Sequence, residues 1–142
     1  MYAISSVIEM QNISLININF NCLYLIECRL NMNNTYFVNQ NYSILATFTL
    51  ISITLSYPVF IQNFVCIGNE YQKIQFIQLI NMPKLIFVYK SYFKFGVAPK
   101  GGSIKIKDSK IEINMCVCYS NRAIKGGAIY YESISGKKII YN

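Results

Sequence analysis

The residues that could do chemistry in this chain are five cysteines and six carboxylates, because histidine is absent. Without histidine, neither a Ser-His nor a Cys-His nucleophile pair can form. Cys116 and Cys118 are two residues apart, so on a strand both side chains face the same side. A zinc site needs four ligands, and the other cysteines, Cys22, Cys28 and Cys66, form no second close pair. We therefore expect small, buried apolar thiols rather than a metal site or a disulfide framework.

The six carboxylates are scattered, and their spacing makes no obvious pair for general acid–base catalysis. Asp108, Lys110 and Glu112 alternate onto one face of a predicted strand, which is most simply a solvated face. The sequence therefore predicts no catalytic residue and no cofactor, and we expect that the chain is not an enzyme. The alternative is a fragment of a carbohydrate-active enzyme whose catalytic face lies outside this chain.

The elements that would position any site are organised by a doublet of adjacent glycines. Ala98–Gly102 is echoed 25 residues later by Ala123–Gly127, and each copy leads into a strand-like run. Neither doublet is followed by Lys-Ser/Thr, so neither is a phosphate-binding loop. A period of 25 allows one circuit of a three-sided tube, which returns about 4.8 Å higher, one strand spacing. The doublet therefore predicts stacked coils of parallel strands.

The composition favours strands, because 54% of the residues are hydrophobic and Ile, Tyr and Phe dominate them. A short helix over Tyr71–Ile80 is the alternative to one of these strands. The period-2 pattern also puts Cys22, Tyr24, Ile26, Cys28, Leu30 and Met32 on one face, with a turn at Asn31–Asn34. Similarly, Ile111, Ile113, Met115 and Val117 are predicted to share a face, with a corner at Tyr119–Asn121. The predicted strands are Ile13–Phe20, Cys22–Met32, Tyr42–Tyr57 as one strand or two, Lys73–Ile80, Leu85–Tyr89, Ile104–Lys107 and Ile111–Cys118.

One uncharged stretch, from Leu30 to Asn69, contains the segment 44–67, which is long enough to cross a bilayer as a helix. Against this, Ser and Thr nearly alternate with large apolar residues between positions 47 and 57, which is typical of a strand. We therefore expect two consecutive buried strands that turn near Pro58. A transmembrane helix over 44–67 is the alternative, and it would make the chain a small membrane protein.

The last third of the chain resembles the GGAI and FxxN repeat of the polymorphic outer membrane protein family. The GGAI tetrad is intact at Gly126–Ile129, and Tyr119–Asn121 resembles a degenerate FxxN element. The preceding copy, Ala98–Ile104, keeps the alanine and a GGxI pattern. The resemblance covers roughly residues 93–131. It implies a right-handed parallel β-helix, related in architecture to pectin-lyase-like proteins, and a large cell-surface or secreted protein involved in adhesion or surface display.

Together these features predict an all-β fold, a right-handed parallel β-helix, and a fragment with about five irregular coils. Residues 1–92 are expected to form degenerate coils and residues 93–142 coils with the glycine repeat. Two adjacent glycines permit a corner with positive φ and close backbone approach. Ile104 and Ile129, one period apart, are expected to stack inside. The residues expected at the repeat corners are Ala98, Gly101, Gly102, Asn121, Ala123, Gly126 and Gly127.

Charge is distributed unevenly along the chain. Residues 1–72 contain one basic and three acidic residues, whereas residues 73–142 contain twelve basic and three acidic ones. No nucleic-acid motif accompanies the lysines, so we interpret them as solvated strand faces. The expected partners are surface ligands or glycans and neighbouring coils of a longer chain, but not nucleic acid, with membrane association as the alternative. Three sequons, at Asn12, Asn33 and Asn41, would be glycosylation sites in an exported eukaryotic protein.

Overall fold

Short apolar runs in this chain alternate with polar residues, and in the computed structural model they form parallel strands. The structure describes residues 1–16, 22–38, 48–54, 58–69, 73–134 and 139–141. The strands are β1 (Tyr2–Ile4), β2 (Val7–Gln11), β3 (Ser14–Ile16), β4 (Leu23–Ile26), β5 (Arg29–Asn33), β6 (Tyr36–Val38), β7 (Phe48–Thr54), β8 (Val59–Gln62), β9 (Val65–Ile67), β10 (Ile74–Ile80), β11 (Ile86–Tyr89), β12 (Tyr92–Lys94), β13 (Val97–Lys100), β14 (Ile104–Lys107), β15 (Ile111–Asn114), β16 (Val117–Tyr119), β17 (Arg122–Lys125), β18 (Ile129–Glu132) and β19 (Ile139–Tyr141).

These strands form three long sheets and one short sheet, in which every pair is parallel. Sheet A has the order β1-β4-β7-β10-β14-β18, and sheet B has the order β2-β5-β8-β11-β15-β19. Sheet C runs β3-β6-β9-β12-β16, and sheet D pairs only β13 with β17. Each coil adds one strand to each long sheet in turn, as in a β-solenoid. The predicted all-β parallel β-helix is therefore confirmed.

The core is built from columns of like side chains that stack from coil to coil along the solenoid axis. In sheet A, Ile51, Ile77, Ile104 and Ile129 follow one another in register, so the predicted stacking of Ile104 on Ile129 is confirmed. In sheet C the column is Leu15, Phe37, Cys66, Phe93 and Cys118. Like residues at strand spacing bury a continuous apolar surface that one coil could not bury alone.

Most corners between strands use a residue with a positive φ. The sheet A to sheet B corner has Glu27, Asn81 and Asp108 at φ 53, 53 and 46. The backbone N–H of each donates to a carbonyl of the next coil, such as Asp108 N to Glu132 O at 2.9 Å. Non-glycine residues reach this left-handed region only at a cost. The inter-coil hydrogen bonds therefore offset local backbone strain.

The corner between sheets B and C has a constant length. Ile8, Leu30, Val59, Ile86 and Ile111 are in register in sheet B, and the in-register residues of sheet C follow each of them after six residues. Amide side chains reinforce this corner in the first coils. Asn34 Nδ2 donates to Asn12 Oδ1 at 3.2 Å, and Asn63 Nδ2 donates to Asn34 Oδ1 at 3.0 Å.

The connection from sheet C to the next strand of sheet A varies much more. It takes 10 residues from Ser14 to Tyr24, 16 from Tyr36 to Ser52, and 13 in each later coil. In the last coils this connection contains sheet D. Irregular coil length is therefore concentrated on one side of the solenoid.

The prediction of one continuous strand over Cys22–Met32 is wrong. The chain turns at Glu27, φ 53, and divides into β4 and β5. The turn changes which alternate positions face inward, so Leu23 and Leu25 are buried while Tyr24 is exposed. The turn predicted at Asn31–Asn34 is also displaced, because β5 continues to Asn33 and the corner residue is Asn34.

The single strand predicted over Ile111–Cys118 fails for the same reason. Met115, at φ 52, ends β15 and starts the corner before β16. Ile111 and Ile113 are buried as predicted, but Met115 and Val117 are exposed. The corner predicted at Tyr119–Asn121 is confirmed by Ser120, which has φ 52.

The predicted strands over 73–80, 85–89 and 104–107 are confirmed by β10, β11 and β14, so the helical alternative for Tyr71–Ile80 is wrong for its described residues. Within the segment 44–67, the described residues form β7, β8 and β9. Among the described residues, no helix has the length and apolarity needed to cross a membrane. Residues 44–47 and 55–57 lie outside the described part, as do residues 17–20 of the predicted strand Ile13–Phe20.

The division predicted between residues 92 and 93 falls within β12. Sheets A, B and C run across it without interruption, from β1, β2 and β3 to the last strand of each sheet. The described residues on both sides of this position therefore share one stack of coils and one hydrophobic core.

Candidate functional site

The glycine doublets lie at the corner between sheet D and sheet A. Gly101 and Gly126 are in register there and have φ 61 and φ 74. A Cβ on Gly101 would lie 2.2 Å from the carbonyl oxygen of Ile104, and a Cβ on Gly126 would lie 2.5 Å from that of Ile129. Gly101 N donates to Lys125 O at 3.0 Å, which ties one coil to the next. Both positions therefore need glycine for conformation and for space.

The other residues expected at corners lie around the same side of the solenoid. Ala98 and Ala123 pair in sheet D, and Ala98 is buried. Asn121 follows the corner after sheet C. Its Oδ1 accepts from Gly96 N at 2.7 Å and its Nδ2 donates to Phe93 O at 2.9 Å. Gly102 N donates to Gly127 O at 2.7 Å. Asn121 therefore links two successive coils through the backbone of the earlier one.

An open cleft lies beside sheet D, and it consists of two depressions that share Ala98 and Pro99. One, of about 320 Å³, is lined by Lys73, Val97–Pro99 and Arg122–Ile124. The other, of about 260 Å³, is lined by Thr49, Gln75, Gln78, Ala98–Lys100 and Lys105. We call the two together the basic cleft. Sheet D forms its wall, and the outward-facing residues of β7, β10 and β14 form its floor.

The wall is fixed to the floor by one amide. The side chain of Gln75 is buried, and its Nε2 donates to the carbonyl oxygens of Lys100 and Gly101. β13 pairs with β17 on one side only among the described residues. Pro99 lacks an N–H, so it suits this open edge and discourages another strand from adding to it. The cleft therefore has a defined wall with an edge that is free of strand pairing.

Four cationic side chains surround the basic cleft, and none of its described lining residues is acidic. Lys100 Nζ lies 3.5 Å from Glu132 Oε2 and 4.8 Å from the Tyr130 ring centroid. The hydrogen bond to Tyr130 and the charge of Glu132 raise the pKa of Lys100. Lys105 Nζ donates only to the neutral Gln78 Oε1, at 3.4 Å. Within the described residues, Lys73, Lys105 and Arg122 have no ion-pair partner.

Sequence analysis did not identify the basic cleft, because its lysines were interpreted one strand at a time as solvated faces. Lys73 precedes β10, Lys105 lies in β14, and Arg122 lies in β17, so only the stacking of coils brings them together. The excess of basic residues after position 73 was the one available signal. It did not indicate which of the twelve basic residues converge.

The sequons have different environments. Asn12 is exposed at a corner, and its side chain accepts from Asn34. Asn33 is partly buried, its Oδ1 accepts from Asn63 Nδ2 at 3.2 Å, and Thr35 of the same sequon is fully buried. Asn41 lies outside the described residues. Both described asparagines therefore contribute to amide hydrogen bonds between coils.

The five cysteines are all free thiols. Cys28 and Cys66 are buried as predicted, and Cys22 and Cys116 pack partly against the core. Cys118 is exposed, because the structure describes no further strand of sheet C over it. Burial raises the pKa of Cys66 well above its ordinary value. Within the described residues no group of three or more His, Cys, Asp or Glu side chains could hold a metal ion.

We expect one thiol to react with a disulfide reagent such as DTNB in the native protein, and that thiol is Cys118. Partial burial, with a smaller effect of the Cys116 thiolate, raises its pKa, so its reaction should be slower than that of a free thiol and should accelerate as the pH rises. Cys66 should react only after denaturation. Timed absorbance measurements on the native protein and on Cys118→Ser check this. Rapid labelling that persists in Cys118→Ser would contradict it.

Comparison with protein-family models, with curated proteins and with solved structures finds no match to this chain.

Proposed function

We propose that this chain is a non-enzymatic structural and recognition segment of a cell-surface or secreted protein, in which stacked coils display an extended side for adhesion or binding. One observation carries the proposal: three parallel sheets run through the described coils and expose long, regular outer faces. Repetition of this kind builds extended surfaces suited to binding. The resemblance of Ala98–Ile104 and Gly126–Ile129 to the polymorphic outer membrane protein repeat supports the same proposal.

The partners proposed for this surface are glycans or other surface ligands, together with neighbouring coils of a longer chain. The basic cleft supports a ligand-binding role, since it combines an open shape with polar and cationic groups that fix orientation. Its position beside a corner is also informative. The connection between sheets C and A is the side where coil length varies, so it can change without disturbing the three-sheet stack.

A glycan array probed with the fluorescently labelled protein tests the proposal. We expect binding to a subset of glycans, with no new reducing ends released from them during prolonged incubation. Antibody staining of intact cells of the source organism should detect the protein at the surface or in the medium. Release of reducing ends would contradict the non-enzymatic role, and absence of binding to every glycan and to intact cells would contradict the recognition role.

A further inference from the structure

We infer that the basic cleft is a binding site for an acidic polysaccharide, which carboxylate-bearing sugars engage through Lys73, Lys105 and Arg122. This inference rests on the proposed recognition function and assigns a ligand class to it. Three unpaired cations around a cleft without a described acidic residue create a local positive potential. Charge-assisted hydrogen bonds from lysine and arginine to a carboxylate are stronger than neutral ones.

The neutral part of the cleft favours sugar rings. Val97, Pro99 and Ile124 provide apolar contact area on the wall, while Gln78 provides an amide on the floor. Sugar rings combine apolar C–H groups with hydroxyls, so they match this mixture. Because the two depressions join at Ala98 and Pro99 and both are open, an extended chain of sugars can cross from one to the other.

Nucleic acid fits this cleft less well. Single-stranded nucleic acids are bound through aromatic side chains on which bases stack. No described residue that lines either depression is aromatic, and the nearby Tyr130 ring already interacts with Lys100. A free phosphate ion is also a poor match, since such ions favour groups of backbone N–H donors and the shared residue Pro99 has none. The arrangement of the cleft therefore favours carboxylated sugars over both.

The test measures binding of a mannuronate hexasaccharide by titration calorimetry at 0.15 M salt. The same oligosaccharide with its carboxylates reduced to alcohols is the neutral control, and a thymidine hexanucleotide is the competing polyanion. We expect the reduced oligosaccharide to bind at least about tenfold more weakly, since the charge-assisted contacts are lost. The hexanucleotide should bind more weakly than the mannuronate oligosaccharide.

Matched variants locate the site. Lys73→Gln with Lys105→Gln removes two charges from the cleft, and Lys107→Gln with Lys110→Gln removes two charges that do not line it. Lys107 is a strict control, because it lies two residues from Lys105 on the same strand. The cleft pair should weaken binding at least about tenfold, and the control pair less than about twofold. Lys73→Arg with Lys105→Arg should restore most of the affinity, and circular dichroism should show that all variants fold.

Equal losses in the two glutamine pairs would overturn the inference, because they would indicate attraction to net charge alone. Tighter binding of the hexanucleotide would also overturn it. The proposed recognition function has a separate fate. If the protein binds neutral glycans but not mannuronate, the cleft assignment fails while the recognition function stands, whereas failure to bind any glycan or cell surface removes both.

Discussion

Replacing Phe93 by alanine is expected to lower the free energy of unfolding by about 3–5 kcal/mol, the usual cost of removing a fully buried phenylalanine. Phe93 is completely buried in the inner column of sheet C, between Cys66 and Cys118. Its ring centroid lies 6.2 Å from that of Phe64 and 6.2 Å from that of Phe76. The substitution therefore leaves a cavity among rings from three parts of the core, which the surrounding strands cannot fill without breaking their register.

Urea denaturation followed by far-ultraviolet circular dichroism measures this loss. The matched control is Phe60→Ala, since Phe60 is also stacked on an aromatic ring, Phe87 at 5.1 Å, but is 45% exposed on the outer face of sheet B. Its loss should be about 0.5–1.5 kcal/mol, the value of an aromatic pair. Phe93→Leu should recover much of the stability. Similar losses in Phe93→Ala and Phe60→Ala would contradict the buried column.

Replacing Gly101 by alanine should reduce the free energy of unfolding by roughly 3 kcal/mol or more, or prevent folding. Alanine pays about 1–2 kcal/mol to occupy the left-handed region, where Gly101 has φ 61. In addition, its Cβ would lie 2.2 Å from Ile104 O and 2.9 Å from Tyr130 N, both backbone atoms that belong to sheet A. Relief of this contact requires movement of strands, not merely of a flexible side chain.

Gly127→Ala provides the matched control for Gly101→Ala. Gly127 also has a positive φ, of 34, but no atom lies within 4 Å of a Cβ built on it. Its substitution should therefore cost only the conformational part, about 1 kcal/mol. Urea titration and the yield of soluble protein distinguish the two variants. Equal stability of the two would show that the close backbone approach at Gly101 does not exist in solution.

The glycine doublet made the architecture predictable, since the 25-residue step from Ala98 to Ala123 is the register of two paired strands in sheet D. The strand boundaries were harder to predict. At Glu27 and Met115 the chain turns with positive φ in residues that rarely adopt it. Alternation of apolar residues continues through both positions in the sequence, so period-2 reasoning joined two strands into one and reversed part of the inward face.

The basic cleft could not be predicted, because its parts are far apart in the chain. Lys73 and Arg122 line one depression, and Thr49 and Lys105 line the other. Their proximity follows from the register of β7, β10, β14 and sheet D, and that register depends on connections of unequal length. In the first coils the variable connection changes the period, so the pairing of Tyr36 with Val65 leaves no fixed repeat for sequence comparison to detect.

The constant step of six residues from sheet B to sheet C has an evolutionary consequence. An insertion of one residue there would turn the Phe37 and Phe93 positions towards solvent, so the length of this corner is under strong selection. The connection from sheet C to sheet A already tolerates 10, 13 or 16 residues between in-register positions. Gene duplication or recombination with its breakpoints in that connection can thus add, delete or exchange whole coils, and new binding loops can arise there without loss of the fold.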